Sequence, residues 1–203
     1  SWGLDMVVGH EAAKQRLRDD ASLLKKGKLE SVPMGYLFCG PVGTGKSFLA
    51  IDMALSVAHG QPWQGQGVKQ GPVLYIAGEG IGGFGKRWKA WERHHGKVDE
   101  PDLYLLPTAV NFREAEDIAR LVATIEDIDQ PFSLVIVDTV ARAIAGAEEN
   151  SSTDMGLFVA ACDEIKALTG GALLAVHHAG KDANRGARGS TALLGAVDTS
   201  LMV

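Results

Sequence analysis

The sequence has 203 residues, of which 46% are hydrophobic and 22% charged, and its formal net charge is −5. This length suits one domain with a sizeable core. The negative net charge argues against a surface that is basic all over and binds nucleic acid, but a local basic groove is compatible with it. No apolar run reaches the ~20 residues of a membrane helix, and the first residues lack the pattern of a signal peptide. Two distant cysteines, Cys39 and Cys162, form no CxxC pair. We therefore expect a cytoplasmic protein with reduced thiols and no membrane contact.

Amphipathic stretches and apolar runs alternate along the chain. Residues 10–27 predict a helix that ends near Gly27. After it, apolar runs predict strands at 35–39, 72–78, 103–107, 132–139 and 172–178, and one more strand begins near 198. Helices are predicted between them at 46–60, within 79–96, at 113–127, at 153–171 with Thr153 as the cap, and as a short turn within 179–196.

The predicted strands are continuous apolar runs, so both faces of the sheet should be covered by helices. This order predicts an α/β fold: a three-layer α/β/α sandwich with a mostly parallel central sheet, as in P-loop NTPase cores. We expect residues 1–34 to form an N-terminal helical segment and residues 35–203 to form the core.

The stretch GPVGTGKS matches the phosphate-loop pattern G-x-x-x-x-G-K-[ST], with a predicted strand before it and a helix after it. Glycines let successive backbone N–H groups face one anion, and the following helix adds the positive end of its dipole. The lysine side chain can reach the outer phosphates, and the serine hydroxyl can bind Mg²⁺. The predicted nucleotide-binding residues are Gly40, Pro41, Val42, Gly43, Thr44, Gly45, Lys46, Ser47 and Phe48.

A second anchor for Mg²⁺ is predicted at Asp138, which ends the apolar run LVIVD at the carboxyl end of a strand. The next residue is Thr139, whereas many motor ATPases place a catalytic glutamate there. A base for hydrolysis must therefore come from elsewhere. Glu79 follows another apolar strand between Gly78 and Gly80, and it could deprotonate a water aimed at the γ-phosphate; the alternative is an exposed loop glutamate.

The strand ALLAVHH ends in two histidines, His177 and His178, which should point to opposite faces. One of them could contact the γ-phosphate or the attacking water, and the alternative is a solvated turn histidine. Neither this pair nor His94–His95 has the spacing of a metal site.

Together, the segments GPVGTGKSFLAIDMAL, GPVLYIAGEG, LVIVDT and LLAVHHAGKDANRGARGST resemble the RecA/KaiC-type P-loop ATPases over about residues 35–203. They are most similar to the RepA-like hexameric replicative helicases of phages and plasmids. The resemblance implies ATP and Mg²⁺ as ligands, a hexameric ring and single-stranded DNA in a central channel. It assigns phosphate and metal binding to Lys46 and Ser47, metal association to Asp138, base catalysis to Glu79 and γ-phosphate sensing to His178.

The loop at residues 179–191 carries Lys181, Arg185 and Arg188 against one aspartate, so it is basic in an acidic chain. We predict contacts between these three side chains and a DNA backbone. A solvated basic loop, or an arginine that reaches a neighbouring subunit's γ-phosphate, is the alternative.

Residues 6–47 resemble instead the beginning of an AAA+ module, in which a V-x-G segment lies against adenine. This resemblance implies adenine contacts at Val7, Val8 and Gly9. Two kinds of P-loop ATPase thus meet near the phosphate loop, as they would in a hybrid chain or in an unusual natural member.

Three functions are compatible with these residues. The first is an ATP-driven DNA motor or loader, and the second is a nucleotide-binding switch with little turnover and no DNA response. A small-molecule kinase is the third, but no arginine-rich lid is visible. Trp88 and Trp91, three apart on a helix with basic neighbours, suit either core packing or contact with nucleic acid or a subunit.

Overall fold

The computed structural model describes Gln15 and residues 35–97, 101–147, 151–178 and 191–203. The strands are β1 (Gly35–Gly40), β2 (Val73–Ala77), β3 (Leu103–Leu106), β4 (Leu134–Asp138), β5 (Ala172–His178) and β6 (Thr199–Met202). The helices are α1 (Lys46–His59), α2 (Ile81–His95), α3 (Ala115–Ile128), α4 (Val140–Ala143), α5 (Ser152–Thr169) and α6 (Thr191–Ala196). Of the predicted helix at 10–27, Gln15 is described and is helical, and the other residues lie outside the described part of the chain.

The six strands form one sheet in the order β3-β2-β4-β5-β1-β6, and every described pair is parallel. Strand β5 therefore lies between β1, which leads into the phosphate loop, and β4, which ends at Asp138. The register pairs Gly40 with His178 and Ala77 with Asp138. All carboxyl ends consequently meet at one edge of the sheet, where ligands bind in open α/β folds.

The sheet has a hydrophobic core on each face, which confirms the predicted three-layer sandwich. Alternate strand residues explain the division, since side chains of a strand point to opposite faces in turn. In β2, Leu74 and Ile76 pack on one face, and Tyr75 packs on the other. Helices α3 and α5 cover the first face, with Ile118, Leu121 and Ile125 of α3 inward, and helices α1 and α2 cover the second.

Two helix boundaries show how local chemistry determines the ends. Helix α1 ends at His59, and the predicted stop at Gly60 is the capping residue, with a left-handed φ of 67°. The cap of α5 is Ser151 and not Thr153: the Ser151 hydroxyl oxygen accepts a hydrogen bond from the backbone N–H of Asp154 at 3.2 Å. The predicted Thr153 cap is therefore wrong, because Thr153 already lies inside the first turn of the helix. Among the described helices, none is long and apolar enough to cross a membrane.

Candidate nucleotide-binding and hydrolysis site

The phosphate loop connects β1 to α1 with the chain geometry that its glycines allow. Gly43 and Gly45 have φ values of 87° and 94°, which side-chain-bearing residues rarely adopt. Gly40 lies against the end of β6, where a Cβ atom would overlap the carbonyl oxygen of Val203. These backbone positions explain why the loop contains glycine at each of the three sites.

Lys46 is almost fully buried, with 4% of its surface exposed. Its Nζ donates to the carbonyl oxygens of Gly40 at 2.8 Å and Pro41 at 2.6 Å, and lies 3.5 Å from the Thr44 hydroxyl. Burial lowers the pKa of Lys46, whereas the charges of Asp138 and Glu79 act in the opposite direction. The ammonium group is thus held inside the loop, where a phosphate group would compete with the two carbonyls for it.

Asp138 is 2% exposed at the end of β4. Its Oδ2 accepts a 2.6 Å hydrogen bond from the hydroxyl of Tyr75, and the Ser47 side chain also hydrogen-bonds to the carboxylate. Burial raises the pKa of Asp138, although both hydrogen bonds oppose this change. The peptide bond from Asp138 to Thr139 is cis.

The residues around Asp138 fit a magnesium ion. The carboxylate oxygen Oδ1 is buried and has no hydrogen-bond partner within the described part of the chain. The Ser47 side chain interacts with the same carboxylate, so two candidate oxygen ligands are neighbours there. No group of three or more His, Cys, Asp and Glu side chains suits a metal among the described residues. One carboxylate and one hydroxyl are enough protein ligands for Mg²⁺, because this ion usually takes its other ligands from phosphates and water.

Glu79 extends from the end of β2, next to Asp138. Each of its carboxylate oxygens faces one partner: Oε1 lies 3.4 Å from His178 Nε2, and Oε2 lies 3.5 Å from Arg142 Nε. Glu79 also contributes to the electrostatic potential at Lys46 and at Asp138. The structure therefore brings together the predicted lysine, aspartate, glutamate and second histidine at one edge of the sheet.

The glycines beside Glu79 fit the geometry of the local backbone. A Cβ atom at Gly78 would lie 2.7 Å from the Cβ of Arg142, and Gly80 has a left-handed φ of 67° where α2 begins. His177, in contrast to His178, is fully buried in the sheet, which rules out a solvated turn histidine at that position.

A ring and a guanidinium group lie beside the phosphate loop. Phe48, in the first turn of α1, is 57% exposed, and the guanidinium carbon of Arg87 lies 5.1 Å from its ring centroid. Arg87 also approaches the carbonyl oxygen of Gly80 at 3.4 Å and acts electrostatically on Asp138. Val42 is 80% exposed at the tip of the loop.

Sequence reasoning missed three side chains of this site: Tyr75, Arg87 and Arg142. The phenol of Tyr75 sits in an apolar strand, where the sequence favours simple packing. For Arg142, the available signal was its position four residues after Asp138, one helical turn into the chain that follows β4. Arg87 lies in the predicted helix of Trp88 and Trp91, whose basic neighbours the sequence suggested only for contact with nucleic acid or a subunit.

A second carboxylate, Asp52 on α1, lies on the face of the sheet that carries Tyr75, and its hydrogen-bond partners differ from those of Asp138. Its Oδ2 accepts hydrogen bonds from Trp63 Nε1 at 2.8 Å and Gln64 Nε2 at 2.9 Å, and its Oδ1 accepts from Trp91 Nε1 at 3.1 Å. The rings of His59 and His95 stack on Trp91, with centroids 5.2 and 4.4 Å away. Trp91 therefore joins α1 to α2 as a core residue, and Trp88 packs half-buried beside it.

Several predicted residues lie outside the described part of the chain. They are the adenine candidates Val7, Val8 and Gly9 and the DNA candidates Lys181, Arg185 and Arg188. Their roles stay predictions.

Comparison with known families agrees with this arrangement. A family model described as an AAA domain, AAA_25, matches residues 13–184 of the 203. The chain belongs to this AAA family. The matched range includes the phosphate loop, where the AAA+-like and RecA-like resemblances meet. The AAA domain implies a P-loop nucleoside triphosphatase, with a nucleotide and Mg²⁺ as its ligands.

This AAA domain is also similar to Protein Ycf2 of Mesostigma viride, with 30% identity over 124 residues. The aligned part is 61% of this chain but 11% of Ycf2. The chain thus spans a small part of that relative's length.

Proposed function

We propose that this AAA domain hydrolyses ATP with Mg²⁺ and couples the reaction to work on single-stranded DNA, as a cytoplasmic ring of identical subunits. The observation that carries the ATPase proposal is the convergence of Lys46, Asp138 and Glu79 at one sheet edge, electrostatically coupled to one another. The DNA and ring parts are supported by the RepA-like resemblance of the sequence.

In this mechanism the backbone N–H groups of the loop and Lys46 bind the β- and γ-phosphates, and Ser47 and Asp138 hold the metal. Mg²⁺ supplies neutralisation of phosphate charge when it is bound. Glu79 accepts a proton from the water that attacks the γ-phosphorus, and the bond from that phosphorus to the ADP oxygen breaks. His178, whose Nε2 lies 3.4 Å from Glu79 Oε1, acts as the γ-phosphate sensor beside that carboxylate.

A nucleotide-binding switch with little turnover is the second candidate. The observation that favours it is Thr139, which occupies the position after Asp138 where a glutamate would be a ready base. In the switch, ATP·Mg²⁺ binds at the loop, and DNA does not change its slow turnover.

The test is steady-state ATP turnover with and without single-stranded DNA, together with sizing of the protein in ATP. We expect turnover that DNA stimulates and an ATP-dependent assembly. Glu79→Gln should lower kcat by about 10²–10⁴-fold while ATP binding persists, because a general base supplies roughly that factor. Flat, DNA-independent turnover and a monomeric profile would favour the switch.

Lys46→Ala separates binding from chemistry in the same assay. The substitution removes the cation for the outer phosphates, so ATP affinity should fall at least about tenfold, as loss of one strong charge-assisted contact predicts. Lys69→Ala, at an exposed lysine in the connection between α1 and β2, is the matched control and should bind ATP normally. Equal affinity in the Lys46 variant and the control would contradict a phosphate site at this loop.

A further inference from the structure

We propose that Arg142 is a positioning residue that aims the Glu79 carboxylate at the attacking water, an inference that rests on the proposed ATPase function. Arg142 Nε lies 3.5 Å from Glu79 Oε2, and His178 Nε2 lies 3.4 Å from Glu79 Oε1. A nitrogen group beside each oxygen restricts rotation of the carboxylate about its terminal bond. The two contacts therefore define which way Glu79 faces.

The backbone ties Arg142 to the metal-binding strand. Helix α4 begins two residues after Asp138, and the N–H of Arg142 donates to the Thr139 carbonyl at 3.0 Å. The Asp138 carbonyl accepts from the N–H of Gly78 at 2.7 Å, directly before Glu79. Arg142 thus connects the residue that holds the metal to the residue that acts as the base, through one helical turn.

Gly78 makes this approach possible. A Cβ atom there would come within 2.7 Å of the Arg142 Cβ, so a larger residue would push α4 and the Glu79 loop apart. The absence of a side chain at Gly78 thus permits the Glu79–Arg142 contact.

A role limited to fold stability does not suit Arg142. Its side chain is 60% exposed, and ion pairs exposed to solvent contribute little to folding stability. Misplacing a catalytic group by about 1 Å, by contrast, can cost as much as 10²-fold in rate. The ion pair should therefore matter more for turnover than for stability.

The experiment measures kcat and KM for ATP, together with thermal unfolding, in Arg142→Ala and Arg142→Lys. We expect Arg142→Ala to lower kcat about tenfold with KM and the unfolding temperature unchanged, since Glu79 remains present but is less well aimed. Arg142→Lys keeps the charge and should recover part of the loss. Arg120→Ala, at an exposed arginine on α3 that pairs with Asp117, is the matched control and should turn over ATP like the wild type.

A double variant tests whether Arg142 acts on turnover through Glu79 or independently of it. If Arg142 works by placing Glu79, then Arg142→Ala should change kcat less than about twofold in a Glu79→Gln background, because coupled residues are not additive. A tenfold loss in both backgrounds would overturn the inference.

Three further results would also overturn it. They are an unchanged kcat in Arg142→Ala, a faster kcat that marks Arg142 as a restraint on Glu79, and an effect on KM alone. Each of these leaves the ATPase proposal intact as long as the wild type hydrolyses ATP. No turnover by the wild type would overturn both proposals together.

Discussion

Asp138 and Asp52 are both carboxylates next to large aromatic side chains, yet they are surrounded in opposite ways. Three N–H donors satisfy Asp52, two on Oδ2 and one on Oδ1. Asp138 is more deeply buried, but its oxygen Oδ1 has no hydrogen-bond partner in the described ranges, and burial raises its pKa. Asp52 thus has a hydrogen-bond donor at each oxygen, whereas Asp138 has a donor at Oδ2 alone among the described residues.

The difference separates the proposed metal-binding carboxylate from a structural one. A buried acceptor without a donor costs folding free energy, so an incompletely satisfied carboxylate signals a ligand that completes it. A saturated carboxylate has no free oxygen to offer a metal, and its hydrogen bonds instead join elements of the fold. Asp52 joins α1 to α2 and to the 61–66 turn, whereas Asp138 faces the phosphate loop.

The largest expected effect comes from Asp138→Asn. Turnover should fall about 10²–10³-fold, in the range seen when one electrostatic stabiliser is removed from an active site. Stability should not fall, because the folded state raises the pKa of Asp138 above its unfolded value and the ionised form therefore costs free energy at neutral pH. Turnover assays and urea unfolding at pH 7 check both halves. If Asp138→Asn were clearly less stable than the wild type, Asp138 would be a structural carboxylate like Asp52.

Asp52→Asn should give the reverse result. The amide keeps one acceptor oxygen and turns an NH₂ group toward an N–H donor, so about 2 kcal/mol of unfolding free energy should be lost. ATP turnover should stay within about twofold, because the Asp52 side chain bonds to Trp63, Gln64 and Trp91 and not to the phosphate loop, Asp138 or Glu79. Urea unfolding followed by tryptophan fluorescence measures the loss. Asp163→Asn, at an exposed aspartate on α5, is the control and should change stability little.

Tyr75→Phe sharpens the comparison, because it removes the buried hydroxyl that donates a hydrogen bond to Asp138. The ring still packs edge-on against Phe84 at 5.3 Å, so only the 2.6 Å hydrogen bond is lost. Unfolding free energy should drop by about 1–2 kcal/mol, since the carboxylate loses a partner inside the protein. ATP with Mg²⁺ should raise the unfolding temperature of the variant more than that of the wild type. Equal stability of the two proteins would show that the phenol contributes no net hydrogen-bond energy.

The smallest effect concerns pH and the two histidines on Trp91. Burial lowers the pKa of both His59 and His95, against the charges of Glu92 and Asp52 respectively, while His94 lowers the pKa of His95 further. The unfolded chain therefore binds more protons than the folded chain below about pH 6.5. Stability should be constant above about pH 7 and decline as the pH falls through about 6.5 toward the lowered values.

Urea midpoints measured across this range test the pH effect. The double variant His59→Gln/His95→Gln should show a flatter decline than the wild type. An identical decline in both proteins would assign the acid sensitivity to other groups.

Much of the fold follows from the sequence because its strands are short, continuous apolar runs between clear glycine and proline boundaries. The phosphate loop, Asp138, Glu79 and His178 were also predicted, since each directly follows such a run. A parallel sheet brings strand ends together whatever the exact strand order. Their meeting at one edge therefore required only the correct fold class.

Contacts across the sheet could not be predicted. The Tyr75–Asp138 hydrogen bond joins residues 63 apart and depends on β2 lying next to β4, an order that the sequence does not reveal. The four-residue helix α4 is too short for a periodic pattern, so Arg142 had no predicted partner. Ser151 and Thr153 both suit a helix cap, and the choice depends on which backbone N–H group each hydroxyl reaches.

The close packing of Gly40 against Val203 offers a way to observe the site optically. Met202, next to Val203 on β6, is 38% exposed, whereas Cys39 and Cys162 are both buried. A cysteine introduced at Met202 would thus be the accessible thiol among these three positions, and an environment-sensitive dye attached there would sit one residue from the backbone that touches the phosphate loop. Its emission would report loop rearrangement in real time, without a labelled nucleotide.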